Sequence, residues 1–184
     1  MILEAARASI AAYRPEDPRE RAYQQRMLQL LATAAPVSRN QFLPGHLTAS
    51  GFVLSPEGDA VLLIFHKKLG IWVQPGGHVE ATDASLVAAA CREVAEEVGL
   101  TLPLQAENPV FDIDIHAIPA RKNEPPHEHF DVRFCFQSPT RSIVTNDEVV
   151  DARWAALTQI EQLTTDESVQ RAVRKLTRRM HTPG

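Results

Sequence analysis

The chain has 184 residues, of which 44% are apolar and 23% charged, and a formal net charge of −4. That balance is ordinary for a single soluble globular domain with ample chain for a core, and its acidity disfavours a nucleic-acid partner. Only two cysteines occur, no apolar run approaches bilayer length, and the N-terminus lacks a basic stretch followed by an apolar one; a disulfide framework, a membrane span and a signal peptide are therefore not expected, and a cytoplasmic location with no membrane partner is.

Residues 1–13 are alanine-rich and predict a helix, interrupted at Arg14-Pro15-Glu16. Asp17-Pro18-Arg19-Glu20 then reads as a helix start, with Asp at the N-cap, Pro in the first position and Glu in the third. Tyr23, Met27, Leu30, Leu31 and Ala34 form its apolar stripe, and Pro36 stops it. Residues 1–36 are thus expected to be an N-terminal helical extension packed on a domain of residues 37–184, with a homodimer interface as the alternative use. Residues 46–55 and 60–66 read as two strands joined by the Pro56-Glu57-Gly58-Asp59 turn. Lys67 to Gly70 loops into a further apolar stretch, residues 71–74.

Pro75, Gly76 and Gly77 break that run, so the backbone turns tightly and can approach a ligand. Thr82 and Asp83 can cap a helix that runs to about Val98, and Gly99 suits the left-handed residue that ends it. Val87, Cys91, Val94 and Val98 recur at helical spacing as an apolar stripe. Glu93, Glu96 and Glu97 share another face, and three carboxylates so close repel one another unless a cation, water or raised pKa values relieve them. Beside a glycine turn that offers a carbonyl they make a hard-cation site, with magnesium as the usual occupant. The plainer alternative is a solvated acidic helix face.

Further on, residues 101–105 could be a short strand. Phe111, Ile113 and Ile115 alternate with Asp112, Asp114 and His116, which predicts a half-buried strand. A polar loop with three prolines follows, and then Phe130, Val132, Phe134 and Phe136 alternate with His129, Asp131, Arg133 and Cys135. If these two strands pair, their polar faces form either a solvent-facing surface or a patch lining the substrate pocket. In the second case His129, Asp131 and Arg133 would meet substrate, with Arg133 or His129 reaching phosphate. His127 and His129 make zinc conceivable, but two histidines without a third ligand are weak evidence, and His46, His66 and His78 add no telling spacing. Residues 157–163 predict a short helix. Thr165-Asp166 starts the last one, with Val169, Ala172, Val173, Leu176 and Met180 as its stripe and a basic end that suits the helix dipole.

The segment from Gly77 to Leu100 resembles the Nudix box. Arg92-Glu93-Val94-Ala95-Glu96-Glu97-Val98-Gly99-Leu100 matches its second half completely. The first half departs: Asp83 stands where the box has Glu, and eight residues rather than seven separate it from Arg92. Either Asp83 does that acid's work across a one-residue bulge, or Ala84 takes the position and the work is lost. The resemblance implies the α+β Nudix fold, a mixed β-sheet flanked by helices as an α/β/α sandwich. It also implies Mg2+, with Mn2+ as a substitute, held by Glu93, Glu96, Glu97 and the Gly76 carbonyl. Glu93 would act in catalysis, and Arg92 would orient a glutamate. Glu148, six residues before Trp154, is a candidate further ligand or base. The implied reaction is hydrolysis of a diphosphate linkage in a nucleoside diphosphate-linked or nucleoside triphosphate compound. Two alternatives stay open: a non-catalytic Nudix-fold binding module for a nucleotide or protein, and an enzyme like the isopentenyl diphosphate isomerases, which would need a working cysteine.

Overall fold

The computed structural model describes residues 2–67, 69–103, 108–121, 124–147 and 149–181. The fold is α+β, a mixed sheet with flanking helices. By their internal contacts the residues fall into two compact units. The first comprises residues 1–50, 76–93 and 103–134, the second residues 51–75, 94–102 and 135–184.

In the first unit, α1 (Ile2–Ala12) and α2 (Pro18–Leu30) form a helical pair. Asp17 caps α2 by accepting the Glu20 amide at 2.8 Å, and Pro18 occupies the first turn. The Glu20 carboxylate is buried and accepts from the Glu16 amide and the Tyr13 hydroxyl, both at 2.7 Å. Gln24 donates to the carbonyls of Ile10 and Tyr13, which joins the end of α1 to α2. Met27, Leu30 and Leu31 are buried, whereas Ala34 lies beyond the helix and is exposed. The helix α2 packs on β5 (Val110–Ile118), and Arg26 both pairs with Glu128 and lies 5.5 Å from the Phe130 ring centroid.

Here β4 (Gly76–His78) pairs antiparallel with β1 (Gly45–Leu54), with Thr48 opposite His78. The strand β6 (His127–Gln137) lies between β1 and β5. It runs antiparallel to β5, with Asp112 opposite Arg133, Asp114 opposite Asp131, and His116 opposite His129. The alternation read from the sequence therefore pairs as expected, but the middle of its polar face is neither solvated nor a pocket wall. Asp112, Asp114, Asp131 and Arg133 are all buried.

In the second unit, β2 (Ala60–His66) pairs antiparallel with β3 (Ile71–Val73) and with β7 (Ala152–Ala156). The residues Val61 to Ile64 are buried, as a continuous apolar strand requires. A 3-10 turn, Leu157–Gln162, packs against α4 (Glu167–His181), whose first turn is capped by Asp166 accepting from the Val169 amide at 2.8 Å. Val169, Ala172, Val173 and Leu176 are buried as predicted. Met180 is 48% exposed and Lys175 is buried, so the stripe ends a turn earlier than its periodicity suggests. Residues 101–103 form no strand, and residues 104–105 lie outside the described residues. The helix α3 (Leu86–Val98), like β1 and β6, runs from one unit into the other.

Candidate active site

The sequence from the glycine turn to the end of α3 builds the site. Ser85, not Thr82 or Asp83, caps α3: its hydroxyl accepts the Ala88 amide at 3.2 Å. That frees Asp83 for Arg92. The guanidinium donates from Nε to Oδ1 and from Nη2 to Oδ2 of Asp83, each at 3.0 Å. Asp83 also accepts the Glu80 amide at 2.8 Å, so it holds the loop as well as the arginine. Arg92 further donates to the His78 carbonyl at 2.8 Å and to Glu93 Oε1 at 3.1 Å. The Asp83 hydrogen bonds, reinforced by the Glu93 charge, raise the Arg92 pKa well above its usual value against a partial opposing effect of burial. The extra residue before Arg92 is thus absorbed without losing the acid–arginine pair.

Two glycines matter for different reasons. Gly76 has φ +154°, and a Cβ there would lie 2.3 Å from the Ser50 Cβ. A Cβ on Gly77 would instead meet the Glu93 carboxylate at 2.7 Å. The bare backbone of Gly77 is what lets the turn close against that carboxylate. Glu96 and Glu97 follow on the same helix, three and four residues on, and so share its face with Glu93. The Asn146 amide donates to the Glu97 carbonyl at 3.3 Å. The donor set is oxygen only, which fits a hard divalent cation. Glu148 lies outside the described residues.

The residues expected at the substrate divide into two groups. Arg133 is 2% exposed and forms an internal ion network. Its Nε donates to Asp131 Oδ2 at 2.8 Å, and its Nη1 to Asp112 Oδ2 at 3.2 Å. Its Nη2 lies 3.5 Å from Asp114 Oδ2. Asp131 accepts in turn from the Ser50 hydroxyl at 2.6 Å and from Thr48 at 3.2 Å. Burial alone would lower the Arg133 pKa, but the three carboxylates outweigh it and hold the charge. The expectation that Arg133 reaches phosphate, with Asp131 beside it, is therefore corrected: the guanidinium is already enclosed. His129 instead sits among other imidazoles and lines a small cleft with Arg39, Arg121 and Glu124. Burial first, and neighbouring histidines second, push its pKa down to about 2; burial likewise lowers His78 to about 4 and depresses His46.

The remaining candidates change little. Burial raises the thiols of Cys91 and Cys135 to about 11, so neither is an activated nucleophile of the kind an isomerase needs. Phe111 and Phe130 belong to the core. Trp72 carries the Arg153 guanidinium 4.0 Å from its ring centroid. Sequence reasoning did not find the roles of Thr48, Ser50 and Asp112; the acids alternating on one strand and an arginine on the next were the available signal.

A family model for the NUDIX domain matches residues 44–176. Among solved structures, the chain is similar to a NUDIX-family hydrolase from Clostridium perfringens, at 22% identity and a TM-score of 0.57 over 72% of this chain and 96% of that one. It is similar also to the NUDIX domain of Shewanella oneidensis NrtR, which was crystallised with ADP ribose, at 19% identity and a TM-score of 0.55 over 73% and 87%. A C. elegans Ap4A hydrolase matches at 18% identity and a TM-score of 0.54 over 73% and 96%. No curated protein matches. The chain belongs to the Nudix family. Among the described residues, no helix is long and apolar enough to cross a membrane.

Proposed function

We propose that the protein hydrolyses a diphosphate linkage in a nucleotide derivative, with Mg2+ as its metal and Mn2+ as a substitute, held by Glu93, Glu96, Glu97 and the Gly76 carbonyl. The observation that supports this most is the closure of Gly77 on the Glu93 carboxylate while Arg92, pinned by Asp83, donates to that same carboxylate. A divalent ion bound there supplies positive charge to the diphosphate and lowers the pKa of a coordinated water. Glu93 or Glu148 accepts a proton from the attacking water, and Arg92 fixes the Glu93 rotamer rather than touching substrate. Glu148, by its place six residues before Trp154, is a further ligand or the base itself. Positioning and electrostatics of this kind carry most of phosphoryl-transfer catalysis. The likeness to proteins named for Ap4A and crystallised with ADP ribose supports a nucleotide in the leaving or retained group.

The test is product analysis with ADP-ribose, dinucleoside polyphosphates, sugar nucleotides and nucleoside triphosphates, with Mg2+ present or chelated. Metal-dependent cleavage between two phosphates of one of them supports the proposal. No cleavage of any, with no magnesium binding, would favour a binding module.

A further inference from the structure

Five histidines of the first unit, His46, His78, His116, His127 and His129, lie with ring centroids 4.8 to 5.4 Å apart in linked pairs. The chain builds this group by strand geometry. His127 and His129 are two apart on β6 and so point to one face. His46 comes from the start of β1, where Gly45 lets the two backbones close: a Cβ at Gly45 would fall 1.9 Å from the Glu128 carbonyl oxygen.

Two of these rings are held by backbone carbonyls in the tautomer a metal ligand needs, and a third, His129, meets one of them through Nε2. His46 Nδ1 lies 3.0 Å from the Gln41 carbonyl, and His127 Nδ1 lies 2.9 Å from the Pro125 carbonyl. A carbonyl only accepts, so each Nδ1 carries the proton and each Nε2 keeps its lone pair in the neutral ring. Fixing the tautomer through a backbone carbonyl is how metal-ligating histidines are held. His46 is 1% exposed, and its Nε2 is buried with no hydrogen-bond partner among the described residues. A core histidine kept only for packing would not leave that atom orphaned at such cost. The Nε2 atoms of His127 and His129 are 3.3 Å apart. Tetrahedral zinc with Zn–N bonds of about 2.0–2.1 Å needs its nitrogens about 3.3–3.4 Å apart. One potential ligand atom from each of His46, His127 and His129 lies within 4.8 Å of the others. A modest rotamer adjustment therefore brings all three to bonding distance.

We propose that His46, His127 and His129 bind a zinc ion, through Nε2 in each case, at a site separate from the acids of α3. The donor chemistry separates the two sites. Three imidazoles select a borderline transition metal, whereas the carboxylates of α3 select a hard one. The fourth zinc position opens toward the cleft of about 60 Å3 lined by Arg39, His78, Arg121 and Glu124, which has room for water. The site also abuts the glycine turn, because His78 is the residue after Gly77 and its carbonyl holds Arg92. A zinc ion there would fix β1 to β6 beside that loop.

The test is titration of chelator-treated protein with Co2+ in excess Mg2+, read by visible absorption, followed by displacement with Zn2+. The proposal expects a single equivalent of Co2+ with the intense bands of tetrahedral coordination, lost on adding zinc. His127→Gln and His129→Asn each remove a ligand and should weaken binding by more than the roughly 10–100-fold that loss of an outer-shell partner costs, and Glu97→Gln should leave it unchanged. His129 is only half-buried, so its variant carries the test if substitutions at the buried His46 or His127 prevent folding, with circular dichroism confirming the fold. Absence of tetrahedral bands, equal affinity in a folded His129→Asn protein, or loss of binding in Glu97→Gln would each overturn the proposal. The readout is independent of hydrolysis, so it stands or falls separately from the proposed function.

Discussion

Arg92 reaches back nine residues to grip Asp83 with two parallel hydrogen bonds of 3.0 Å each. The pair is largely enclosed, with the Asp83 side chain 5% and the Arg92 side chain 21% exposed. Removing the acid leaves a half-buried guanidinium and frees the Glu80 amide. We expect Asp83→Ala to lower unfolding free energy by about 1–3 kcal/mol. It should also lower turnover by about tenfold or more, because Glu93 loses its oriented partner. Urea denaturation and steady-state kinetics on the same preparation check both.

The two glycines of the turn should fail in opposite ways. In Gly77→Ala the new methyl meets the movable end of Glu93, so the fold should survive while metal affinity and turnover fall by about tenfold or more. In Gly76→Ala the methyl meets Ser50 Cβ and backbone atoms at a φ of +154°, so stability itself should fall, by about 1–3 kcal/mol. Thermal melts beside magnesium titrations separate the two outcomes. Equal melting losses would contradict this division.

Arg133 is a test of the internal network. Arg133→Met leaves Asp112, Asp114 and Asp131 buried without their cation, and should cost about 3–5 kcal/mol. Urea denaturation of the variant beside wild type measures this, and a loss under about 1 kcal/mol would refute the assignment.

Neither cysteine should matter to the chemistry. With both thiols raised to about 11, iodoacetamide near neutral pH should modify them slowly, and Cys91→Ala should keep most of its hydrolytic activity. Loss of activity on Cys91 modification, tracked by mass spectrometry, would reopen the isomerase reading.

Much of this was legible because local rules sufficed. The spacing of Glu93, Glu96 and Glu97, the Asp17-Pro18 helix start and the alternation on β5 and β6 each depend on a few neighbouring residues. What the sequence left open depends on which strands pair. The polar faces of β5 and β6 read as a pocket wall or a solvated surface, because nothing local says that Ser50 and Thr48 on β1 bond to Asp131 on β6. The histidines were discounted for the same reason. His127 and His129 lacked a third ligand until β1 brought His46, which is 81 residues earlier than His127, against them. The cap at Ser85 was missed because Asp83 is also a good cap, and only its capture by Arg92 removes it from that role.

The proposed hydrolysis rests on the acids of α3 holding a divalent ion. The most direct measurement is turnover of the best panel substrate as a function of Mg2+ concentration, in wild type and in Glu97→Gln. The account predicts saturable magnesium dependence in the wild type and a loss of about 100-fold or more in the variant, with an unchanged circular dichroism spectrum. A folded Glu97→Gln protein that keeps most of its activity, or wild-type turnover indifferent to magnesium and to chelator, would contradict it.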